Sequence, residues 1–141
     1  MMKVLILCGG NSCRSQMAEG ILRHLAGGEA EIYSAGVQAL GVNPNAVKAM
    51  AEIGLDISHH TSNQSDEYLG MGITHVITVC GEETEVCPYF PEQVHFTHQA
   101  FPDPAHFSGS PEETAAEFAR VRDLVYDYLK GWWRENRPKP D

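Results

Sequence analysis

The chain has 141 residues, of which 43% are hydrophobic, and a formal net charge of −9 at pH 7. This length suits a single domain with a buried core. The acidic charge disfavours nucleic acid and anionic membranes as partners, because neither is attracted to a negative field. The short apolar run after Lys3 is too brief for a signal-peptide core or a membrane span. We therefore expect a cytoplasmic protein, monomeric by default, whose cysteines serve catalysis, redox chemistry or metal binding rather than structural disulfides.

Strand and helix patterns alternate along the chain. Short apolar runs rich in β-branched residues predict strands, and apolar residues repeated every three or four positions predict helices. In chain order, we predict a strand at 4–7, a helix that ends at 27–28, a strand at 32–33, a helix from 44 to about 54, one or two helical turns at 65–69, strands at 75–79 and 94–97, a stiff loop at 101–104, and a long helix from 111. This alternation predicts an α/β fold with a four-stranded parallel sheet flanked by helices on both faces.

Capping residues mark where the later helices begin. Asn43 is a preferred N-cap and Pro44 suits the first helical position. Ser110 opens the long helix with a capping-box pattern. These elements predict one α/β domain over residues 1–136, followed by a flexible C-terminal tail at 137–141.

The segment Cys-Gly-Gly-Asn-Ser-Cys-Arg-Ser, residues 8–15, lies between the first strand and the first helix. Gly9 and Gly10 permit backbone conformations in which successive N–H groups surround an oxyanion. The helix N-terminus adds further N–H groups, and Arg14 offers two parallel donors to an oxyanion. Both features also favour a thiolate at Cys8. The alternative is a buried strand cysteine followed by an ordinary turn.

This segment resembles the phosphate loop of the low-molecular-weight protein tyrosine phosphatases, a family with a small flavodoxin-like fold. With its continuation Gln-Met-Ala-Glu, it resembles the arsenate reductase relatives of those phosphatases more closely. The resemblance implies the same fold here, with Cys8 as the nucleophile and Arg14 as an oxyanion ligand. It also implies that the oxyanion is held by the loop residues Gly9, Gly10, Asn11, Ser12, Cys13, Arg14 and Ser15.

A second pair of cysteines, Cys80 and Cys87, follows the third predicted strand, whose carboxyl end lies at the same sheet edge as Cys8. Reduction of arsenate needs two electrons, which a dithiol supplies. The thioredoxin-coupled arsenate reductases are similar in having such a pair. The resemblance implies that Cys8 attacks arsenate, that Cys80 then attacks Cys8, and that Cys87 forms a disulfide with Cys80 for thioredoxin to reduce. Asp103, which precedes a proline as in the family, is implied to be the general acid.

Several alternatives are open at this point. Cys80, Cys87, His95 and His98 are a candidate zinc site, although their spacing departs from common structural sites. The same loop also suits a low-molecular-weight tyrosine phosphatase, but Ala105 stands where those enzymes usually have an aromatic residue. A non-catalytic oxyanion-binding protein is a third hypothesis. A glutaredoxin with a small thiol, or mycothiol, is an alternative reductant to thioredoxin.

Some members of the family bind a potassium ion beside the loop. The matching positions are Asn11, Glu19, Ser34, Thr61 and Asn63. The members concerned have an aspartate where this chain has Asn63, so the loss of that charge predicts weaker cation binding. No tightly bound cofactor is expected.

Overall fold

The computed structural model describes residues 1–80 and 90–139. That part of the chain forms four strands, three α-helices and two short 3-10 helices. The elements are β1 (Lys3–Cys8), α1 (Arg14–Ala26), β2 (Glu31–Gly36), α2 (Pro44–Ala51), a 3-10 helix (Ser65–Tyr68), β3 (His75–Thr78), β4 (His95–His98), a second 3-10 helix (Pro104–His106) and α3 (Pro111–Asn136).

The four strands form one parallel sheet in the order β2-β1-β3-β4. The predicted four-stranded parallel sheet is therefore confirmed. β1 lies between two neighbours, and its last residue, Cys8, pairs with Gly36 at the end of β2. Since ligands in such folds bind beyond the carboxyl ends of the strands, this register places Cys8 at the edge where a site is expected.

Side chains of β1 alternate between two hydrophobic clusters, one on each face of the sheet. Val4 and Ile6 pack in the larger cluster, to which α1, α2 and α3 all contribute buried residues. Leu5 and Leu7 pack in the smaller cluster, where the described cover comes from the first 3-10 helix and Phe90. In the described residues, α-helices thus cover one face of the sheet and a 3-10 helix covers the other.

The helix ends follow the predicted caps. Gly27 ends α1 with a left-handed φ of 55°. The Asn43 side chain accepts a hydrogen bond from the Asn45 N–H, and Ser110 forms a capping box with Glu113. On α3, the apolar side chains that face the core are buried: Phe118, Val121, Val125, Leu129, Trp132 and Trp133.

Some predicted bounds were wrong. β2 extends to Glu31–Gly36 because its carboxyl half pairs with β1 over the full register. β4 begins one residue later than predicted, at His95, since its pairing with His75 of β3 sets the register. The loop predicted at 101–104 leads into the second 3-10 helix.

No helix in the described ranges is long and apolar enough to cross a membrane. In the predicted tail, Arg137 forms an ion pair with Glu29 at 2.9 Å. Residues 140–141 lie outside the described part.

Candidate active site

The loop between β1 and α1 turns its carbonyl groups outward. The carbonyls of Gly9 and Gly10 accept hydrogen bonds from the backbone N–H groups of Gln38 and Leu40, and that of Ser12 accepts one from Asn43. In a trans peptide, the N–H points opposite to the carbonyl that precedes it. The N–H groups that follow these carbonyls are therefore directed away from the 38–43 segment, as an anion-binding loop requires.

Asn11 occupies the strained position of the loop. Its φ is 48°, and it is the one non-glycine residue with positive φ in the described chain. We expected Gly9 and Gly10 to provide this freedom, but neither has positive φ, so that reason for their presence is wrong. Asparagine tolerates the left-handed region better than most residues, and here its side chain is also fixed at both ends, as described below.

A position near the loop that requires glycine is Gly36, which the sequence analysis missed. A Cβ atom at Gly36 would lie 2.8 Å from three backbone atoms, the Asn11 nitrogen and the Gly9 and Gln38 oxygens. At Gly10, the Cβ would instead meet the flexible side chain of Leu40 at 2.8 Å. The end of β2 therefore packs directly against the loop backbone, and a Ser-Ala-Gly end to a strand was the available signal.

A cavity of about 280 Å³ opens above the loop. Its lining combines the candidate nucleophile with the predicted loop and acid residues: Cys8, Gly10, Ser12, Cys13, Arg14, Leu40, Asp103, Ala105 and His106. The Cys8 side chain is almost fully buried, and its sulfur lies 3.0 Å from the Ser15 hydroxyl. Of these residues, the sequence analysis missed Leu40 and His106. His106 follows Asp103 by three residues, and that spacing was the signal.

Arg14 is held at the base of the cavity by two segments, the end of β3 and the 101–104 loop. Its Nη1 atom donates to the Val79 carbonyl at 3.4 Å and to the Phe101 carbonyl at 3.2 Å. Its Nη2 atom lies 3.4 Å from Asp103 Oδ2. The other Asp103 oxygen, Oδ1, accepts the Ala105 N–H at 3.0 Å and so caps the second 3-10 helix. The structure thus brings together Cys8, Arg14 and Asp103.

Cys13 is buried beside Cys8 and caps α1 without a side-chain hydrogen bond to the helix. Burial, the largest cause, raises the pKa of the Cys13 thiol to about 12. Cys13 is therefore a protonated thiol at neutral pH and a poor second nucleophile, since the thiolate is the reactive form.

Cys80 lies just beyond β3, at the same sheet edge as Cys8, and is buried. Its sulfur is disulfide-bonded, whereas Cys8 and Cys13 are free thiols. Cys87 lies outside the described residues, as does the 81–86 segment that precedes it.

The candidate zinc ligands do not meet on β4. His95 and His98 are three residues apart on a strand, which places them on opposite faces. His95 stacks on His75 at 4.8 Å, and His98 Nδ1 lies 2.6 Å from the Thr78 hydroxyl. Among the residues described, no group of three or more His, Cys, Asp or Glu side chains is arranged to hold a metal ion.

A chain of buried hydrogen bonds connects Cys8 with Glu19. The Asn11 Nδ2 donates to the hydroxyls of both Ser15, at 2.8 Å, and Ser34, at 3.0 Å. Ser34 in turn donates to Glu19 Oε1 at 2.7 Å. Because Ser15 accepts from Asn11, its own proton is available for a hydrogen bond to the Cys8 sulfur. Asn11 and Ser15 thus hold the shape of the loop through their side chains.

The residues implied for potassium are largely occupied with one another. Asn11 Oδ1 accepts the Asn63 N–H at 2.8 Å, and the Thr61 hydroxyl donates to Asn63 Oδ1 at 2.8 Å. Glu19 Oε2 lies 3.1 Å from the Arg23 Nε, so its charge already has a cationic partner within the chain. With the uncharged Asn63 in place of an aspartate, this group fits a potassium ion poorly.

His60 packs against the Glu19 carboxylate. Gln16 Nε2 donates to the carbonyls of Asn11 and Thr61, so Gln16 Oε1 must accept the hydrogen bond from His60 Nδ1, at 3.0 Å. The His60 Nε2 atom faces Glu19 Oε2 at 3.4 Å. Burial lowers the pKa of His60 to about 4 and raises the pKa of Glu19. Both shifts favour a neutral imidazole, with any proton of the pair on Glu19.

With this geometry in place, comparison with known proteins identifies the family. The sequence profile of the low molecular weight phosphotyrosine protein phosphatases matches residues 3–139. The chain belongs to this family. Fold and family membership agree with the resemblance inferred from residues 8–19.

Within the family, the chain is similar to arsenate reductases. It is 50% identical to the arsenate reductase of Halalkalibacterium halodurans over 127 residues, which cover 90% of this chain and 91% of that protein. A solved arsenate reductase in its oxidized state superposes with a TM-score of 0.80 at 30% identity, covering 96% of this chain and 98% of the other. A thioredoxin-dependent arsenate reductase from Corynebacterium glutamicum superposes with a TM-score of 0.65 at 25% identity, covering 96% of this chain and 64% of the other.

Proposed function

We propose that this member of the low molecular weight phosphatase family is an arsenate reductase, which reduces arsenate to arsenite for arsenic detoxification. The observation that carries the proposal is the cavity in which Cys8, Arg14 and Asp103 face one another, in a chain 50% identical to an arsenate reductase over most of its length. Arsenate is a tetrahedral oxyanion, which suits a loop of inward N–H groups with one guanidinium.

The first step is attack of the Cys8 thiolate on arsenic. An S–As bond forms, an As–O bond breaks, and the departing oxygen leaves as water after Asp103 protonates it. In this proposal Arg14, held by the Val79 and Phe101 carbonyls, binds two oxygens of the same anion. The Ser15 hydroxyl, 3.0 Å from Cys8, supports the thiolate before attack.

The second step transfers two electrons to arsenic. Cys80 attacks the Cys8 sulfur, the S–As bond breaks with its electron pair on arsenic, and arsenite leaves a Cys8–Cys80 disulfide. Cys87 then attacks Cys80, which frees Cys8 and forms a Cys80–Cys87 disulfide. A structure in which Cys80 is oxidised while Cys8 is a free thiol is consistent with the end of this relay.

The electron donor in this proposal is a thioredoxin. An internal disulfide at the end of the relay suits a dithiol reductant, and one of the similar solved structures is a thioredoxin-dependent enzyme. A glutaredoxin or mycothiol is the alternative donor.

The test is arsenate-dependent NADPH oxidation with thioredoxin and thioredoxin reductase. We expect continuous turnover by the wild type. The Cys87→Ser variant should release one equivalent of arsenite and then stop. Absence of turnover by reduced, folded wild type with every donor would refute the proposal.

A tyrosine phosphatase is the second candidate, because the family profile spans the chain and the same cavity suits a phosphate ester. That activity depends on Cys8 and Arg14 but not on Cys80 or Cys87. Hydrolysis of p-nitrophenyl phosphate that survives Cys80→Ser, without any arsenate reduction by the wild type, would favour it. Oxyanion binding that survives Cys8→Ser, without turnover of either substrate, would instead indicate a binding protein.

A further inference from the structure

We propose that His106 is a positioning residue that delivers a proton from solvent to Asp103 during the proposed arsenate reduction. The inference rests on that proposed function and adds a residue that the cysteine relay does not include. It is carried by the contact of His106 Nε2 with Asp103 Oδ2, at 3.6 Å, at the mouth of the cavity.

The local sequence forces the two side chains together. Asp103 caps the 3-10 helix Pro104–His106, and its Oδ1 atom accepts the Ala105 N–H. In addition, the His106 N–H donates to the Asp103 carbonyl at 3.2 Å. Because a 3-10 helix has three residues per turn, side chains at i and i+3 lie one above the other. His106 is therefore held over Asp103 by the turn itself.

The two oxygens of Asp103 have different roles in this arrangement. Oδ1 is occupied by the backbone of the turn, so Oδ2 is the oxygen that faces both Arg14, at 3.4 Å, and His106. The Asp103 side chain is 14% exposed, whereas that of His106 is 72% exposed. His106 thus connects a largely enclosed carboxylate with bulk water.

A general acid must regain its proton in every turnover. Once Asp103 has given its proton to the departing oxygen, a new proton has to be supplied to Oδ2 before the next turnover. In the balanced sequence, the His106 imidazolium passes the proton on Nε2 to Oδ2, and Asp103 passes it to the leaving oxygen. The neutral imidazole then takes a proton from water.

The other groups that face Asp103 in the described chain are unsuited to this task. Arg14 does not release protons in proteins. Cys13, with a pKa of about 12, keeps its proton at neutral pH. Cys8 is the nucleophile and has no proton to give as a thiolate. An imidazole, in contrast, normally exchanges its proton between pH 5 and 8.

The test measures a single turnover in the reduced Cys87→Ser protein, in which arsenite release reports the chemistry before any external reductant acts. We expect His106→Ala to slow arsenite release at pH 7 by about tenfold, which is less than the roughly 10²–10⁴-fold typical of a general acid itself, because Asp103 remains and solvent can still protonate it. Added imidazole should restore most of that rate, because it fits the space left by the ring. His106→Gln should be equally slow, but imidazole should not restore it.

Two controls separate proton delivery from a structural or charge effect. His24→Ala removes an exposed histidine on α1 and should leave the rate unchanged, with or without imidazole. Equilibrium binding of inorganic phosphate should be the same within about twofold for His106→Ala and its parent. A normal rate in His106→Ala, or a slow rate without imidazole rescue, would overturn the inference. No arsenite release by the Cys87→Ser parent would overturn the proposed function instead.

Discussion

Acidification should destabilise the protein through His60. Its side chain is 4% exposed, and burial lowers its pKa in the folded state from 6.5 to about 4. The unfolded chain therefore binds a proton below pH 6.5, whereas the folded protein does not. The stabilisation by a neutral His60 is fully present above pH 6.5 and is lost as the pH falls toward 4.

The magnitude follows from the shift. Each pKa unit corresponds to about 1.4 kcal/mol, so His60 accounts for about 3 kcal/mol in total. About 2 kcal/mol of this should be lost between pH 7 and pH 5. At an m-value of about 2 kcal/mol/M in urea, the midpoint of unfolding should fall by roughly 1 M.

The assay is urea unfolding under reducing conditions at pH 7 and pH 5, with His60→Gln as the matched variant. Other carboxylates and histidines titrate in both proteins, so their contributions cancel. Glu19 needs separate attention, because its raised pKa acts in the opposite direction and acidification relieves the cost of its buried charge. Glu19→Gln should therefore be compared with the Glu19→Gln/His60→Gln double variant.

In each pair, the protein with His60 should lose about 2 kcal/mol more than its partner on going from pH 7 to pH 5. Equal losses in both pairs would refute the reasoning. They would mean that His60 takes up its proton in the folded protein as readily as in the unfolded chain.

Three further predictions concern the end of β2, the core face of α3 and the ion pair on α1. Gly36→Ala should lower the free energy of unfolding by about 1–3 kcal/mol, because its Cβ meets backbone atoms at 2.8 Å, and should weaken phosphate binding measured by calorimetry; a fully native stability would contradict it. Phe118→Ala should cost about 3–5 kcal/mol in urea unfolding, whereas Leu124→Ala, exposed on the same helix, should cost less than about 0.5; similar costs would argue against the described core. Arg23→Gln removes the cation beside Glu19. The unfolding temperature of this variant should therefore be higher in KCl than in choline chloride, and this difference should be larger than in the wild type. An equal difference in both proteins would show that Arg23 does not replace a bound cation.

Much of the fold could be predicted because its signals are local. The apolar β-branched run at 4–7, the Gly27 cap and the Ser110 capping box each specify a structure from neighbouring residues. The bounds of β2 and β4 could not be predicted as well, because pairing with β1 and β3 decides where those strands begin and end.

Part of the site could likewise be predicted from local sequence, and part could not. Cys8 and Arg14 share one short motif, and the ends of parallel strands predicted that Cys80 would lie at the same sheet edge. The contacts of Gly36 with the loop and of His60 with Glu19 join residues far apart in sequence, so a local pattern such as the Ser-Ala-Gly strand end does not specify the partner. The positive φ occurs at Asn11 rather than at Gly9 or Gly10, and the Asn11 side chain is held there by the Ser34 hydroxyl on β2 and by the backbone N–H of Asn63.

The outward carbonyls of the loop have a consequence for protein engineering. Residues 8–15 contain the sulfur, the guanidinium and the N–H groups, but the frame that shapes them belongs to other segments. Gln38, Leu40 and Asn43 supply the N–H groups that hold three loop carbonyls, and Ser62 holds a fourth, that of Asn11. Transplanting the octapeptide into another protein would therefore transfer its ligands without its geometry. The smallest transferable unit includes the 36–43 and 60–63 segments as well.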